Sequence, residues 1–115
     1  VTRTPQEIFA HHASALMAGD VDELVADYAE DAVLITPAEV FRGRDGVRGW
    51  VKGMLADLPD ASWDVPTQVF EGDVLFIEWS AVATSSRVTD GVDTFVFADD
   101  SIRVQTVRCT LEKTG

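Results

Sequence analysis

Twenty residues near the start of the chain, Ala18 to Pro37 (AGDVDELVADYAEDAVLITP), constrain the fold more than any other stretch, because they set a helix stop, a second helix and a buried strand in direct succession. Asp20 can cap a new helix with Glu23 as its capping-box partner, and Val21, Leu24, Val25 and Tyr28 fall at i, i+3, i+4 and i+7. The pattern predicts a short amphipathic helix ending near Tyr28. Ala29-Glu30-Asp31 breaks it, and Ala32 to Thr36 is β-rich and stopped by Pro37, so a strand follows. The remaining segments have to wall in this helix-to-strand reversal.

Upstream, Thr4-Pro5 with Glu7 forms a helix start, and Ile8, Phe9, His12, Ala15 and Leu16 mark one face up to a stop at Gly19. His12 lies on that apolar stripe, while His11 is turned about 100° away, so the two histidines are poorly placed to grip one metal ion. Downstream, Val40-Phe41-Arg42 reads as a short second strand and Gly43 turns the chain into a third helix. Val47, Trp50, Val51, Met54, Leu55 and Leu58 give that helix a clear 3.6-residue period. Gly46, Gly49 and Gly53 form a strip beside its apolar face. Either a close backbone neighbour offsets their low helix propensity, or the strip is simply exposed.

From Ala61 the period becomes that of β-structure. Glu71-Gly72-Asp73, Asp90-Gly91 and Asp99-Asp100-Ser101 punctuate four segments, which predicts a four-strand antiparallel meander. Val74 to Ile77 is apolar on both faces, so its strand is expected to be central and covered on both sides. A single domain this small has no element left for the second face, and a twofold partner would supply the cover, which predicts a homodimer. The last strand, Ile102 to Glu112, changes phase: Ile102 and Val104 share one face, Val107, Cys109 and Leu111 the other. A bulge or bend near Gln105 reconciles them and suits a sheet curling around a cavity.

The 115 residues, 46% of them apolar, make one domain spanning 1–115 with a substantial core. A formal charge of −11 disfavours nucleic acid and anionic membrane surfaces and makes a neutral or cationic small molecule the easier partner, a small apolar or neutral one being expected. Cys109 is the only cysteine, and no apolar run reaches the roughly 18 residues of a membrane span, which points to a cytoplasmic setting. Gly-rich phosphate loops, metal-ligand spacings and basic aromatic patches do not occur.

The Gly-Asp second helix, Tyr-Ala-Glu-Asp-Ala at 28–32, Phe41-Arg42-Gly43-Arg44 and Phe97-Ala98-Asp99-Asp100-Ser101-Ile102 together resemble the nuclear-transport-factor-2-like superfamily, in its SnoaL-like and ketosteroid-isomerase-like branch. The resemblance covers nearly the whole chain. It implies an α+β fold in which three N-terminal helices pack on a curved, mostly antiparallel sheet, a cystatin-like conical half-barrel closed over an apolar pocket. In ketosteroid isomerase a carboxylate base moves a proton while a tyrosine and a protonated aspartic acid donate hydrogen bonds to the enolate. Carried over by position, the tyrosine donor corresponds to His12, the base to Thr36 and the aspartic acid to Asp93. A supporting tyrosine is kept as Tyr28, and a second would fall at Val51.

Asp93 shares its strand face with Phe95 and Phe97, where burial would favour its protonated form; it could instead be a solvated residue near Arg87. His12 could act as base or donor, or be a core histidine. Thr36 can orient a ligand or merely fill its strand. Alternation allows only one of Glu78 and Trp79 to face the pocket. Tyr28, Trp50, Met54 and Trp63 read as core, which in a cone is also pocket wall. These residues suggest a cofactor-independent acid–base isomerase or cyclase acting on an apolar carbonyl or polyketide-like compound, with Asp93 and His12 catalytic. The alternative is a non-catalytic ligand-binding or dimerisation domain.

Overall fold

In the computed structural model, which describes residues 2–115, Thr4 opens helix α1 (Pro5–Ala18) through a reciprocal capping box. The Thr4 hydroxyl accepts from the Glu7 N–H at 3.1 Å, and the Glu7 carboxylate accepts from the Thr4 N–H at 2.8 Å. Asp20 forms one half of the corresponding box on α2 (Val21–Val25), accepting from the Glu23 N–H at 3.2 Å. This helix ends earlier than its periodicity predicts, and Tyr28 opens strand β1 (Tyr28–Ile35) instead of closing α2. Asp27 accounts for the early exit. Its buried carboxylate is held by Arg3 Nη1 at 2.8 Å and His11 Nδ1 at 2.6 Å, and its carbonyl accepts from the Ile102 N–H at 2.8 Å, committing the backbone to the sheet one residue before Tyr28.

Strand β2 (Val40–Arg42) and helix α3 (Gly43–Asp57) fall where expected. The glycine strip of α3 divides: a Cβ on Gly46 would lie 3.1 Å from the Phe41 backbone, whereas one on Gly49 or Gly53 would meet nothing within 4 Å. The long strands follow as β3 (Ser62–Glu71), β4 (Val74–Val82), β5 (Ser86–Ala98) and β6 (Ser101–Arg108), with β7 (Glu112–Lys113) closing the chain. They form one seven-stranded sheet in the order β2-β1-β6-β5-β4-β3, parallel only between β1 and β6, with β7 paired to β5.

Two β expectations need correction. Asp90-Gly91 is not a hairpin; the β4–β5 turn lies at Ala83–Ser85, where the Ala83 N–H donates to the Ser86 carbonyl at 2.9 Å. Asp90-Gly91 sits within β5, where the pairing with β4 slips between Trp79↔Gly91 and Ala81↔Val88. The missing side chain of Gly91 leaves room for the Trp79 indole: a Cβ there would stand 2.2 Å from its ring. The last strand is likewise shorter than expected, ending at Arg108. Its phase change is a bulge at Arg103, where Val96↔Val104 is followed by Phe97↔Ile102. A third slip, between Asp64 and Thr67, puts Pro66 in a bulge of edge strand β3, a position where its missing N–H breaks no ladder.

These bulges bend the sheet toward the helices. Leu75, Ile77, Trp79 and Ala81 of β4 join Phe95, Phe97, Ile102 and Val107 on the buried concave face, against Ile8, Phe9 and Ala15 of α1 and Val47 and Val51 of α3. Strand β4 is second from the sheet edge, and within one chain only its inner face is covered. Val69, Val74, Phe76 and Val82 stand 38–57% exposed on the other side. No helix among the described residues is long and apolar enough to cross a membrane.

Candidate functional site

Between α1, α3 and the concave sheet lies a cavity of about 50 Å³ with a mainly aromatic and aliphatic lining. Its polar groups come from four strands and one helix. Alternation along β5 turns Asp93 inward, where it is 6% exposed. The Trp79 indole Nε1–H donates to Asp93 Oδ1 at 2.8 Å, and Gln105 Nε2–H donates to Oδ2 at 2.9 Å. The Tyr28 hydroxyl donates to Gln105 Oε1. Both ends of the Gln105 amide are thereby dictated: nitrogen to the carboxylate, oxygen to the phenol. Each Asp93 oxygen already accepts one protein hydrogen bond and keeps further acceptor capacity.

His12 enters from α1, 7% exposed and set among aromatic rings: Phe95 edge-on at 5.3 Å, Tyr28 edge-on at 5.9 Å and Phe9 stacked at 6.0 Å between centroids. Its Nδ1 is the one buried side-chain polar atom among the described residues without a hydrogen-bond partner. No hydrogen bond joins it to Asp93 among the described residues, so burial governs both groups. Desolvation pushes the Asp93 carboxyl up to about 6, against the opposing hydrogen bonds from Trp79 and Gln105. Desolvation pushes the His12 imidazole down to about 4, only partly offset by the charge of Asp27. Burial, with the charges of Asp93 and Asp27, raises Tyr28 well above an ordinary phenol. Near neutral pH the cavity therefore holds a neutral imidazole, a neutral phenol and a carboxyl group able to exchange a proton.

Of the residues singled out in the sequence, Asp93, His12, Tyr28, Trp50, Met54, Trp63 and Phe95 all line this cavity. Thr36 and Glu78 do not. Thr36 ends its strand in a local turn, its hydroxyl donating to the Glu39 carbonyl at 3.1 Å and accepting from the Glu39 N–H at 3.1 Å. Glu78 lies on the outer sheet face and accepts from the Thr67 hydroxyl at 2.8 Å, because the inward phase of β4 runs through Leu75, Ile77 and Trp79. His11 and His12 diverge as expected, one to Asp27 and the other into the core. Among the described residues no three His, Cys, Asp or Glu side chains are grouped to hold a metal ion.

Of the two alternatives at 78 and 79 it is Trp79 that faces the cavity, whereas Gln105, the other donor to Asp93, was not singled out as a candidate. Gln105 shares parity with Val107, and that parity was the available signal: once the bulge is placed before residue 105, the glutamine points inward with the valine.

The chain belongs to the SnoaL-like domain family, whose model matches residues 9–105. No curated protein sequence matches it. Among solved structures it is similar to a provisionally assigned ketosteroid isomerase from Kribbella flavida, at 17% identity and a TM-score of 0.78 over 92% of this chain and 77% of that one. It is similar to IdmH, provisionally assigned as a polyketide cyclase, from Streptomyces antibioticus, at 20% identity and a TM-score of 0.75 over 93% and 92% of the two chains. A cystatin-fold protein from Novosphingobium aromaticivorans matches at 17% identity and a TM-score of 0.78 over 91% and 97%. At these identities the structural likeness establishes the fold, the conical α+β half-barrel read from the sequence.

Proposed function

We propose that this SnoaL-like domain binds a small, uncharged, largely apolar carbonyl compound, polyketide-like in character, and moves a proton on it without a cofactor. The observation that carries this reading is Asp93: a buried carboxyl group in an apolar cavity, held by two protein donors and shifted to about 6. A group that titrates near the working pH can both take and return a proton. In the step we infer, the Asp93 carboxylate removes a proton from the carbon next to the carbonyl; an O–H bond forms, the C–H bond breaks, and the negative charge moves to the carbonyl oxygen. The neutral His12 ring supplies an N–H for that oxygen, and return of the proton to a second carbon completes an isomerisation or prepares a ring closure. Tyr28, Trp50, Met54, Trp63 and Phe95 form the apolar wall. Incubation in D₂O with a cyclic enone as probe should give deuterium at the α-carbon, and Asp93→Asn should slow that exchange at least tenfold.

A second reading, a non-catalytic small-ligand-binding domain, is favoured by Thr36, which stands at the base position of the related isomerases but lies outside the cavity. Binding of the enone without any exchange would select it. We also propose that a second copy of the chain covers the outer sheet face at Val69, Val74, Phe76 and Val82.

A further inference from the structure

The cavity around Asp93 is too small for the ligand class just proposed. At about 50 Å³ it accepts a few waters' worth of volume, whereas a site that takes benzene offers roughly 150 Å³. Its wall is shared, however. Trp50, Met54 and Trp79 also line a second cavity of about 300 Å³ on the far side, which continues along α3 past Gly49 and Gly53 to Leu111. The two glycines stand one turn apart and face open space, since a Cβ on either would meet nothing within 4 Å. Neither packing nor backbone conformation asks for glycine there, and alanine would make the better helix. Their effect is to keep the surface of α3 low where the groove runs. Met54, half-buried and lining both cavities together with Trp50 and Trp79, is the flexible member of the partition, with an unbranched thioether chain that readily changes rotamer. On the inner side His12, 7% exposed with an unpartnered Nδ1, points to a ligand that brings its own polar group.

We infer that the two cavities are the halves of one ligand site: a polar end, carbonyl or hydroxyl, sits with Asp93 and His12, and an apolar body crosses between Trp50 and Trp79 as Met54 swings aside, to lie over Gly49 and Gly53. The ligand is then an elongated, uncharged amphiphile with a single polar end. This rests on the proposed function for the polar end and adds where the length of the molecule goes.

The test compares 2-butanone with 2-octanone on the intact chain by NMR titration, in the wild type and in Gly53→Leu and Gly49→Leu. Each is a surface helix position with free space, and folding of the variants is checked by circular dichroism. In the wild type the longer ketone should bind tighter by about three- to fourfold for each methylene that reaches the groove, and should shift the Met54 methyl resonance. Either leucine variant should weaken 2-octanone at least tenfold and leave 2-butanone unchanged. If both ketones bind with equal affinity, or the leucines weaken both alike, the bipartite site is wrong and the inner pocket stands alone. If neither ketone binds the wild type, the carbonyl-pocket reading falls and this inference with it.

Discussion

Asp93 and His12 carry opposite consequences of the same burial. Below pH 3.8 the Asp93 carboxyl is protonated in folded and unfolded chains alike; between 3.8 and about 6 the unfolded chain ionises first, so its contribution to stability falls as pH rises. For His12 the sign reverses. Between about 4 and 6.5 only the unfolded chain holds the imidazole proton, so raising the pH stabilises the fold. The two effects nearly cancel in the wild type. In Asp93→Asn only the histidine effect remains, and urea denaturation should show the variant gaining about 2–3 kcal/mol on the wild type between pH 4 and 6.5. Parallel curves would mean that Asp93 is not desolvated. Gln105→Leu should strip one donor from Asp93 and the acceptor from Tyr28, costing about 1–3 kcal/mol and raising the Asp93 titration midpoint further in an NMR titration. An unchanged midpoint would show that Gln105 does not hold the carboxylate. Asp93 and His12 were legible because each lies in phase with large apolar neighbours. Gln105 was not, because one bulge residue upstream reversed the face to which it belongs.

At the scale of elements, periodicity located all three helices and the four long strands, and it failed where a local signal had two structural solutions. Tyr28 fits the apolar stripe of α2 by spacing, yet the buried Asp27 with its Arg3 and His11 partners ends the helix first. Those partners come from a distant part of the chain, which helical periodicity cannot register. Asp90-Gly91 reads as a hairpin turn, but glycine is there to receive the Trp79 ring, and the Asp90 carboxylate accepts from the Thr110 N–H and hydroxyl at 2.8 Å each. Gly91→Ala should therefore destabilise the domain by about 1–3 kcal/mol or more and weaken the indole bond to Asp93. Gly49→Ala, on an open helix surface, should do the opposite and add about 0.5–1 kcal/mol. Thermal or urea unfolding of the two variants checks both signs; equal effects would mean that Trp79 does not lie against residue 91.

For the whole molecule, the bulged sheet and its helices create an apolar interior on one side and leave an apolar strip on the other. The doubly apolar Val74 to Ile77 segment made both sides visible in the sequence, and a second copy of the chain is the expected cover of the outer one. Sedimentation equilibrium should give twice the chain mass, and Phe76→Asp with Val74→Lys should return it to a monomer with an intact cavity; a monomeric wild type would overturn the dimer. The cone's interior should set the proton affinity of one carboxyl group, and the direct measurement is a carbon-13 NMR titration of the aspartate side chains, with Asp93 assigned by the loss of its signal in Asp93→Asn. A midpoint at about 6 is the predicted result, and a midpoint at the ordinary 3.8 would contradict it.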